Sequence, residues 1–426
     1  MPTRTVAALV AVAVAAPLGA AVLGGCTTAA APSARPGATV PVALGVLAGQ
    51  GGTDAVRGAE LAVALVNEPH PELHLPLVTG SGLAGLGGGR VRLVVGDTAG
   101  DPDAVEGVTD DLLAARVTGI VAAEQAEVVA VASAYATRRG LPMVDAATSA
   151  GYLLDLGLDW YFRVTPTDRM LVEPVFALLR EASLPGRRRA VVVTGVGATS
   201  GAPDAGGDVE PLLPDLTRDA RLDLVGEVRV DSAGDPTGGA AIARAELAAT
   251  APDLVIAVAG TTAQAALLSD LVKGLVPAPV VVGLGTGFRD APDPPDGTLR
   301  PVAWSDGFAG RHPLAAGITA LYQARYGRPM SESAATAFTA TLALARAVDT
   351  AATGDPAAVR VALRQLAVPA TQMIMPWVGV RFGGNGQNEL ATAVVEQAGR
   401  DGWRVVFPPE LAAGPVEWPA RPENAR

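Results

Sequence analysis

The sequence predicts an α/β fold whose mainly parallel sheets form two lobes. From about residue 40, short runs of β-branched residues alternate with helical patterns, an order that sets strands in parallel with helices on both faces of the sheet. The alternation starts again near residue 190, which indicates a second unit of the same kind. The folded part, about 400 residues, also exceeds what one hydrophobic core normally covers.

The first unit contains strand patterns separated by helices. A helix begins at Thr53 with apolar residues at three-to-four spacing, and Asp101 with Pro102 supplies an N-cap and a first-turn proline for the next helix. A third helix is expected over 129–135. The predicted strands are 40–46, 91–95, 120–121 and 141–144.

The second unit repeats this order and is followed by further helices and strands. The predicted strands of the repeat are 190–193, 222–230, 254–258 and 279–282, with helices at 239–250 and 262–273. Later helices are expected at 314–326 and 333–353, and later strands at 377–382, 392–396 and 403–407. Pro- and Gly-rich stretches at 199–208 and 290–297 are predicted to be loops.

The amino terminus has the pattern of a bacterial lipoprotein signal peptide. Arg4 precedes an apolar segment over 6–22, and Leu-Gly-Gly then leads to Cys26. The predicted signal peptide is therefore 1–26, with Cys26 lipidated, and 27–38 is a flexible tether rich in Ala, Pro and Ser. The alternative is that Cys26 is an inert buried thiol. Lipidation places the protein on the extracytoplasmic face of the cell membrane, attached only by its lipid.

Composition limits the remaining possibilities. Cys26 is the only cysteine, so no intramolecular disulfide can form and the core must hold the fold. The net charge of -11 argues against nucleic acid or anionic lipid as a partner.

Several short motifs occur in a characteristic order along the chain. They lie at 45–47 with 57–62, at 94–102, at 146–149 with 161–168, and at 380–386. With these motifs the chain resembles the type I periplasmic binding proteins of the branched-chain amino acid and amide family, the solute receptors of ABC importers. The resemblance covers nearly everything from residue 40 to residue 419.

The resemblance implies two Rossmann-like lobes joined by a hinge of three crossings near residues 165, 302 and 378. The amino-terminal lobe would comprise 39–165 plus 302–378, and the carboxyl-terminal lobe 166–301 plus 379–420. A small solute, such as an amino acid or amide, would bind in the cleft between the lobes and pass to the permease subunits of an ABC importer. No enzymatic activity, cofactor or metal is implied.

The resemblance also selects solute-contacting residues in the loops that follow strands. They are Gln125, Ala126 and Glu127 in one loop, Ala147 and Thr148 in the next, and Thr261 and Thr262 in the second lobe. The alternative for Thr148 is that it caps a short helix together with Ser149. A helix that begins after Glu127 could also donate N–H groups to an anion.

The chain departs from the family pattern in the second lobe. The family's tyrosine after Val193 and its acidic residue after Gly283 are both missing. Because an unpaired ammonium group in a closed cleft is costly, the sequence predicts a neutral, amide-like or otherwise non-amino-acid solute rather than leucine or valine. That expectation changes if Glu124, Glu127 or Asp306 supplies the missing charge.

Other functions receive weaker support. The glycines over 195–201 resemble a dinucleotide-binding turn, but prolines and glycines replace the helix that should follow. His70 and His74 have the spacing of metal ligands on a helix, yet Pro69 and Pro71 break such a helix. Within the same fold, the alternative role is a sensing or cell-envelope assembly lipoprotein that does not serve transport.

Overall fold

The computed structural model describes residues 39–49, 52–181, 188–196, 209–231, 236–289 and 294–419. The predicted signal peptide with Cys26, the tether over 27–38 and the loop over 199–208 lie outside the described residues.

The strands and helices are numbered here in chain order. The strands are β1 Val42–Ala48, β2 Val91–Asp97, β3 Val117–Ala123, β4 Met143–Asp145, β5 Tyr161–Arg163, β6 Arg189–Val196, β7 Asp223–Asp231, β8 Leu254–Val258, β9 Val280–Leu284, β10 Leu299–Val302, β11 Ala367–Pro369, β12 Gly379–Arg381, β13 Val394–Gly399 and β14 Gly402–Phe407. The helices are α1 Thr53–Asn67, α2 Val105–Ala114, α3 Ala126–Arg139, α4 Tyr152–Asp155, α5 Asp168–Glu181, α6 Leu213–Asp219, α7 Pro236–Thr250, α8 Thr262–Val272, α9 Thr286–Arg289, α10 Asp306–Ala309, α11 Pro313–Tyr326, α12 Glu332–Ala351 and α13 Pro356–Arg364.

The first lobe is built on a parallel sheet in the order β2-β1-β3-β4-β5. Every residue of β1 is buried, as expected of a central strand covered on both faces. Its Leu44 and Val46 belong to one apolar cluster, whereas Ala43 and Leu47 belong to another on the opposite face. Helices therefore cover both faces of this sheet, as the alternating pattern predicted.

Helix α12 returns from late in the chain to complete the first lobe. It packs against α1 and β3. The contact with α1 is close because Gly58 has no side chain: a Cβ atom at that position would lie 2.0 Å from the carbonyl oxygen of Ala334. The first lobe therefore combines the beginning of the chain with residues more than 270 positions away.

The second lobe contains a seven-stranded sheet in the order β14-β13-β10-β9-β8-β6-β7. Strands β6 to β10 are parallel, and β13 and β14 join the edge as antiparallel strands. The two-lobed α/β fold with parallel sheets is thus confirmed. The strand pattern did not predict β5, β10 or β11, which have only three or four residues each.

The lobes are linked where the chain leaves β5, where it leaves β10, and where it approaches β13. The last of these links differs from the expectation. Residues near 387 still bond to the first lobe, since the N–H of Arg163 donates to Gly386 at 2.9 Å and the N–H of Asn388 donates to Arg163 at 2.8 Å. We therefore propose that the third crossing lies at 389–393 instead of near 378.

Candidate functional site

A cavity of about 610 Å³ lies between the two lobes, beside their first and second crossings. The first lobe contributes residues 146–149, which follow β4 and are called the β4 loop, and the start of α12. The second lobe contributes residues of α9, β10, β13 and β14. The cavity is therefore bounded by both lobes and by the segments that join them.

The β4 loop is organised by the buried carboxylate of Asp145. One oxygen, Oδ1, accepts the N–H of Ala147 at 2.8 Å and the N–H of Thr148 at 3.1 Å. The other, Oδ2, accepts the hydroxyl groups of Thr148 and, at 2.7 Å, of Tyr161. Ala147 and Thr148 line the cavity, but their N–H groups and the Thr148 hydroxyl are already bound to Asp145.

Arg163 is fully buried and bonds to Ala150, the residue that follows the β4 loop. Its Nη1 donates to the carbonyl oxygen of Ala150 at 2.6 Å, and its Nε donates to Oε1 of Gln387 at 2.8 Å. Nε2 of Gln387 donates in turn to the carbonyl oxygen of Thr165 at 2.9 Å. The loop is thus joined to the first crossing and to the segment that leads to the third.

Two ion pairs line the second-lobe side of the cavity. Arg289 of α9 lies 3.0 Å from Oε1 of Glu332, the first residue of α12, so this pair joins the two lobes. Arg300 of β10 lies 2.8 Å from Glu396 of β13, and its guanidinium carbon stacks 3.7 Å from the ring centroid of Trp403. Each arginine charge therefore already has a carboxylate partner.

Asp306 also lines the cavity, at the start of α10 just beyond the second crossing. The N-cap of this short helix is Ser305, whose hydroxyl oxygen accepts the N–H of Phe308 at 3.3 Å. Burial raises the pKa of the Asp306 carboxyl, and the nearby Trp304 indole and Arg300 charge offset this only in part. Asp306 forms no ion pair with any residue that the structure describes.

The predicted contacts at α3 lie elsewhere. Gln125 is the N-cap residue of α3 and is exposed, and Ala126 and Glu127 form its first turn. None of the three lines the cavity described above. They follow β3, at the carboxyl edge of the first-lobe sheet.

The predicted contacts at α8 have a similar position in the second lobe. Thr261 is the N-cap of α8 and forms a capping box with Gln264, and Thr262 is the first helical residue. Both threonines are exposed and lie outside the lining of the cavity. The Thr261 hydroxyl oxygen already accepts the N–H of Gln264 at 3.2 Å.

Glu124 is buried where β1, β2 and β3 end. Its carboxylate accepts the hydroxyl of Thr98. Burial raises the pKa of Glu124, and the negative charge of Asp97 adds to this effect. Glu124 packs closely on Gly49, where a Cβ atom would lie 2.8 Å from Oε2. Neither Glu124 nor Glu127 reaches the cavity, whereas Asp306 does.

The histidine pair does not have the geometry that its spacing suggested. Nδ1 of His70 bonds to Glu72 at 2.9 Å, and a short 3-10 turn separates His70 from His74. Within the described ranges, no three His, Cys, Asp or Glu side chains are grouped to hold a metal ion. In that same part of the chain, no helix is both long and apolar enough to cross a membrane.

Sequence reasoning missed most of the charged lining of the cavity, although it noted Asp306 beside Trp304. The two-lobed fold agrees with a comparison of the sequence with protein families. Residues 38–401 match the sequence profile of the periplasmic binding proteins. The chain belongs to this family. No curated protein sequence matches it significantly.

Solved structures of other periplasmic binding proteins share the fold. An ABC transporter substrate-binding protein from Desulfitobacterium hafniense, in complex with Leu, is 18% identical with a TM-score of 0.67, over 86% of this chain and 100% of that one. A solute-binding protein from R. palustris, in complex with benzoate, is 16% identical with a TM-score of 0.61, over 90% and 98%. A leucine-binding protein from Thermotoga maritima is 17% identical with a TM-score of 0.61, over 85% and 97%. This similarity establishes the type I periplasmic binding fold.

Proposed function

We propose that this protein captures a small polar solute between its lobes and delivers it to an ABC importer, without enzymatic activity or a cofactor. The observation that carries this proposal is the interlobe cavity, since its walls come from both lobes and from their crossings. A solute held there would contact both lobes at once and thereby favour a closed arrangement. The permease subunits of the importer would recognise that closed form.

We further propose that contacts with the solute are made from both lobes as the cleft closes. Ala147 and Thr148 lie in the cavity lining already. The first turns of α3 and α8 follow the carboxyl ends of β3 and β8, where open α/β sheets bind ligands. The residues there remain proposed contacts of the closed form, namely the exposed Gln125, Thr261 and Thr262 and the half-buried Ala126 and Glu127.

We also propose that the protein is a lipoprotein held on the extracytoplasmic face of the membrane through Cys26. The small residues before Cys26 and the apolar segment before them support this proposal. Replacing Cys26 with Ala should move the protein from the membrane fraction to the soluble fraction and leave its circular dichroism spectrum unchanged. Unaltered membrane partitioning of the variant would contradict lipidation.

A thermal-shift screen tests the solute-binding role. Amino acids, amides, urea, polyols, amines and small aromatic acids are each added to the purified protein. A solute at about one hundred times its Kd raises the free energy of unfolding by about 2.7 kcal/mol, which gives a measurable rise in Tm. A screen in which no class of compound raises Tm would contradict the proposed function.

A further inference from the structure

The interlobe cavity carries one acidic group in excess. Its charged lining consists of Arg289, Arg300, Asp306, Glu332 and Glu396. The two arginines are neutralised by Glu332 at 3.0 Å and Glu396 at 2.8 Å. Asp306 is left without a basic partner in the part of the chain that the structure describes. A cleft lined by three carboxylates and two guanidinium groups favours a positively charged occupant.

Four backbone N–H groups in the lining of the cavity already donate to protein carboxylates. The N–H groups of Ala147 and Thr148 donate to Asp145, which is itself an anion. The N–H groups of Ala303 and Trp304, at the second crossing, both donate to Oε2 of Glu332, at 3.1 and 3.2 Å. A solute carboxylate would therefore find these donors occupied by protein carboxylates, and displacing them would leave a protein carboxylate without its partners.

The remaining lining is suited to an organic group. The two indoles of Trp304 and Trp403 lie in the wall together with the apolar side chains of Leu171, Val302 and Met330. Alkyl groups attached to a cationic nitrogen can pack against such an apolar wall. The cavity volume of about 610 Å³ accommodates a small organic molecule.

We propose that the solute of this protein is an organic cation without a carboxylate, either an amine or a quaternary ammonium compound, and that Asp306 receives its positive charge. The inference rests on the proposed solute-binding function and names its substrate class. It narrows the expectation of a neutral, amide-like or otherwise non-amino-acid solute to a cation, because Asp306 lies in the cavity and could supply the acid that the end of β9 lacks. A zwitterionic amino acid is disfavoured by its carboxylate.

The test compares solutes that share a carbon skeleton and differ in charge. Isoamylamine is leucine without its carboxylate, isocaproate is leucine without its amino group, and isocaproamide is an uncharged counterpart. Choline and glycine betaine form a second pair, in which only betaine has a carboxylate. Each is added to the purified protein in a thermal-shift panel that also contains other amines, amino acids, acids and amides, and the strongest compounds are titrated by calorimetry.

We expect the largest Tm shifts from cations, with choline exceeding betaine or isoamylamine exceeding leucine. Replacing Asp306 with Asn should weaken the best cation about 30-fold, equivalent to about 2 kcal/mol, because its charge loses a partly buried partner. Asp306→Glu retains the charge and should bind more tightly than Asp306→Asn. The control is Asp103→Asn, which removes an exposed acid from the start of another helix, outside the cavity, and should leave affinity unchanged.

Three results would contradict the proposal of a cationic solute, and a fourth would contradict solute binding itself. An amino acid or acid that binds best, a neutral compound that binds best, or a cation whose affinity is unchanged by Asp306→Asn would each contradict it while leaving solute binding intact. The absence of a Tm shift with every class would contradict the proposed function itself. If Asp306→Asn fails to fold, the ranking of charge classes on the unmodified protein still decides the substrate class.

Discussion

Replacing Asp145 with Asn should strongly destabilise the protein, because Asp145 is the acceptor that organises the β4 loop. Its carboxylate is fully buried and accepts from Ala147, Tyr161 and both the N–H and the hydroxyl of Thr148. Asparagine keeps one oxygen, which can still accept the two N–H groups. Its amide nitrogen cannot accept, so the hydroxyls of Thr148 and Tyr161 both lose their acceptor.

The size of the effect follows from the two lost bonds. A hydrogen bond to a charged group contributes about 1.5–3 kcal/mol, so losing two at Oδ2 costs about 3–6 kcal/mol. The hydroxyls can rotate and accept from the new amide group, which favours the lower end. We therefore expect a loss of about 3 kcal/mol, a large part of the stability of a typical domain.

Urea denaturation followed by circular dichroism measures this loss, and hydrogen exchange at the amides of Ala147 and Thr148 locates it. The matched control is Asp97→Asn. Asp97 also ends a strand of the first-lobe sheet, but it is exposed and accepts a single N–H, that of Ala99 at 2.8 Å. The control should change stability by no more than about 0.5 kcal/mol. Equal effects of the two variants, or a loss below about 1 kcal/mol for Asp145→Asn, would refute the reasoning.

Three further variants test other parts of the fold. Glu124→Gln should stabilise the protein at about pH 8 and have little effect at about pH 4, as measured by thermal unfolding. Burial raises the pKa of Glu124, so the unmodified protein loses stability as the pH rises towards that raised pKa, whereas the variant does not. Gly58→Ala should cost about 2 kcal/mol or more in urea, since its Cβ would collide with the carbonyl of Ala334. Gln387→Met should cost about 2–3 kcal/mol by leaving the Nε of buried Arg163 without its acceptor. A neutral result for any of them would contradict the corresponding contact.

The parts of the fold that the sequence predicted are those with a local pattern. Strand β1 is a continuous apolar run, buried on both faces, and α12 is a long, Ala-rich helix that is buried along most of its length. The two lobes and the alternation of their elements follow from such patterns. The β4 loop was selected through the resemblance to the type I periplasmic binding proteins, and it also lies at the carboxyl edge of a parallel sheet, where open α/β sheets bind ligands.

The remaining features depend on pairing between distant residues, which no local pattern records. Arg163 is an arginine in a three-residue strand and carries no signal of burial, yet it is fully buried because Gln387, 224 positions later, accepts from it. The pairing of Arg289 with Glu332 likewise requires two lobes to meet. Without knowledge of these pairs, the sequence alone could not show that, among the described residues, Asp306 is the cavity carboxylate that forms no ion pair.

Small-angle scattering tests the central claim, that a solute is held between two lobes that close around it. The protein is measured alone and with a saturating concentration of the cation that binds most tightly in the panel. Closure about the three crossings should lower the radius of gyration, and the same addition to Asp306→Asn at that concentration should lower it less. Saturated binding with an unchanged radius of gyration would contradict closure, and with it the proposed transfer of a closed form to an importer.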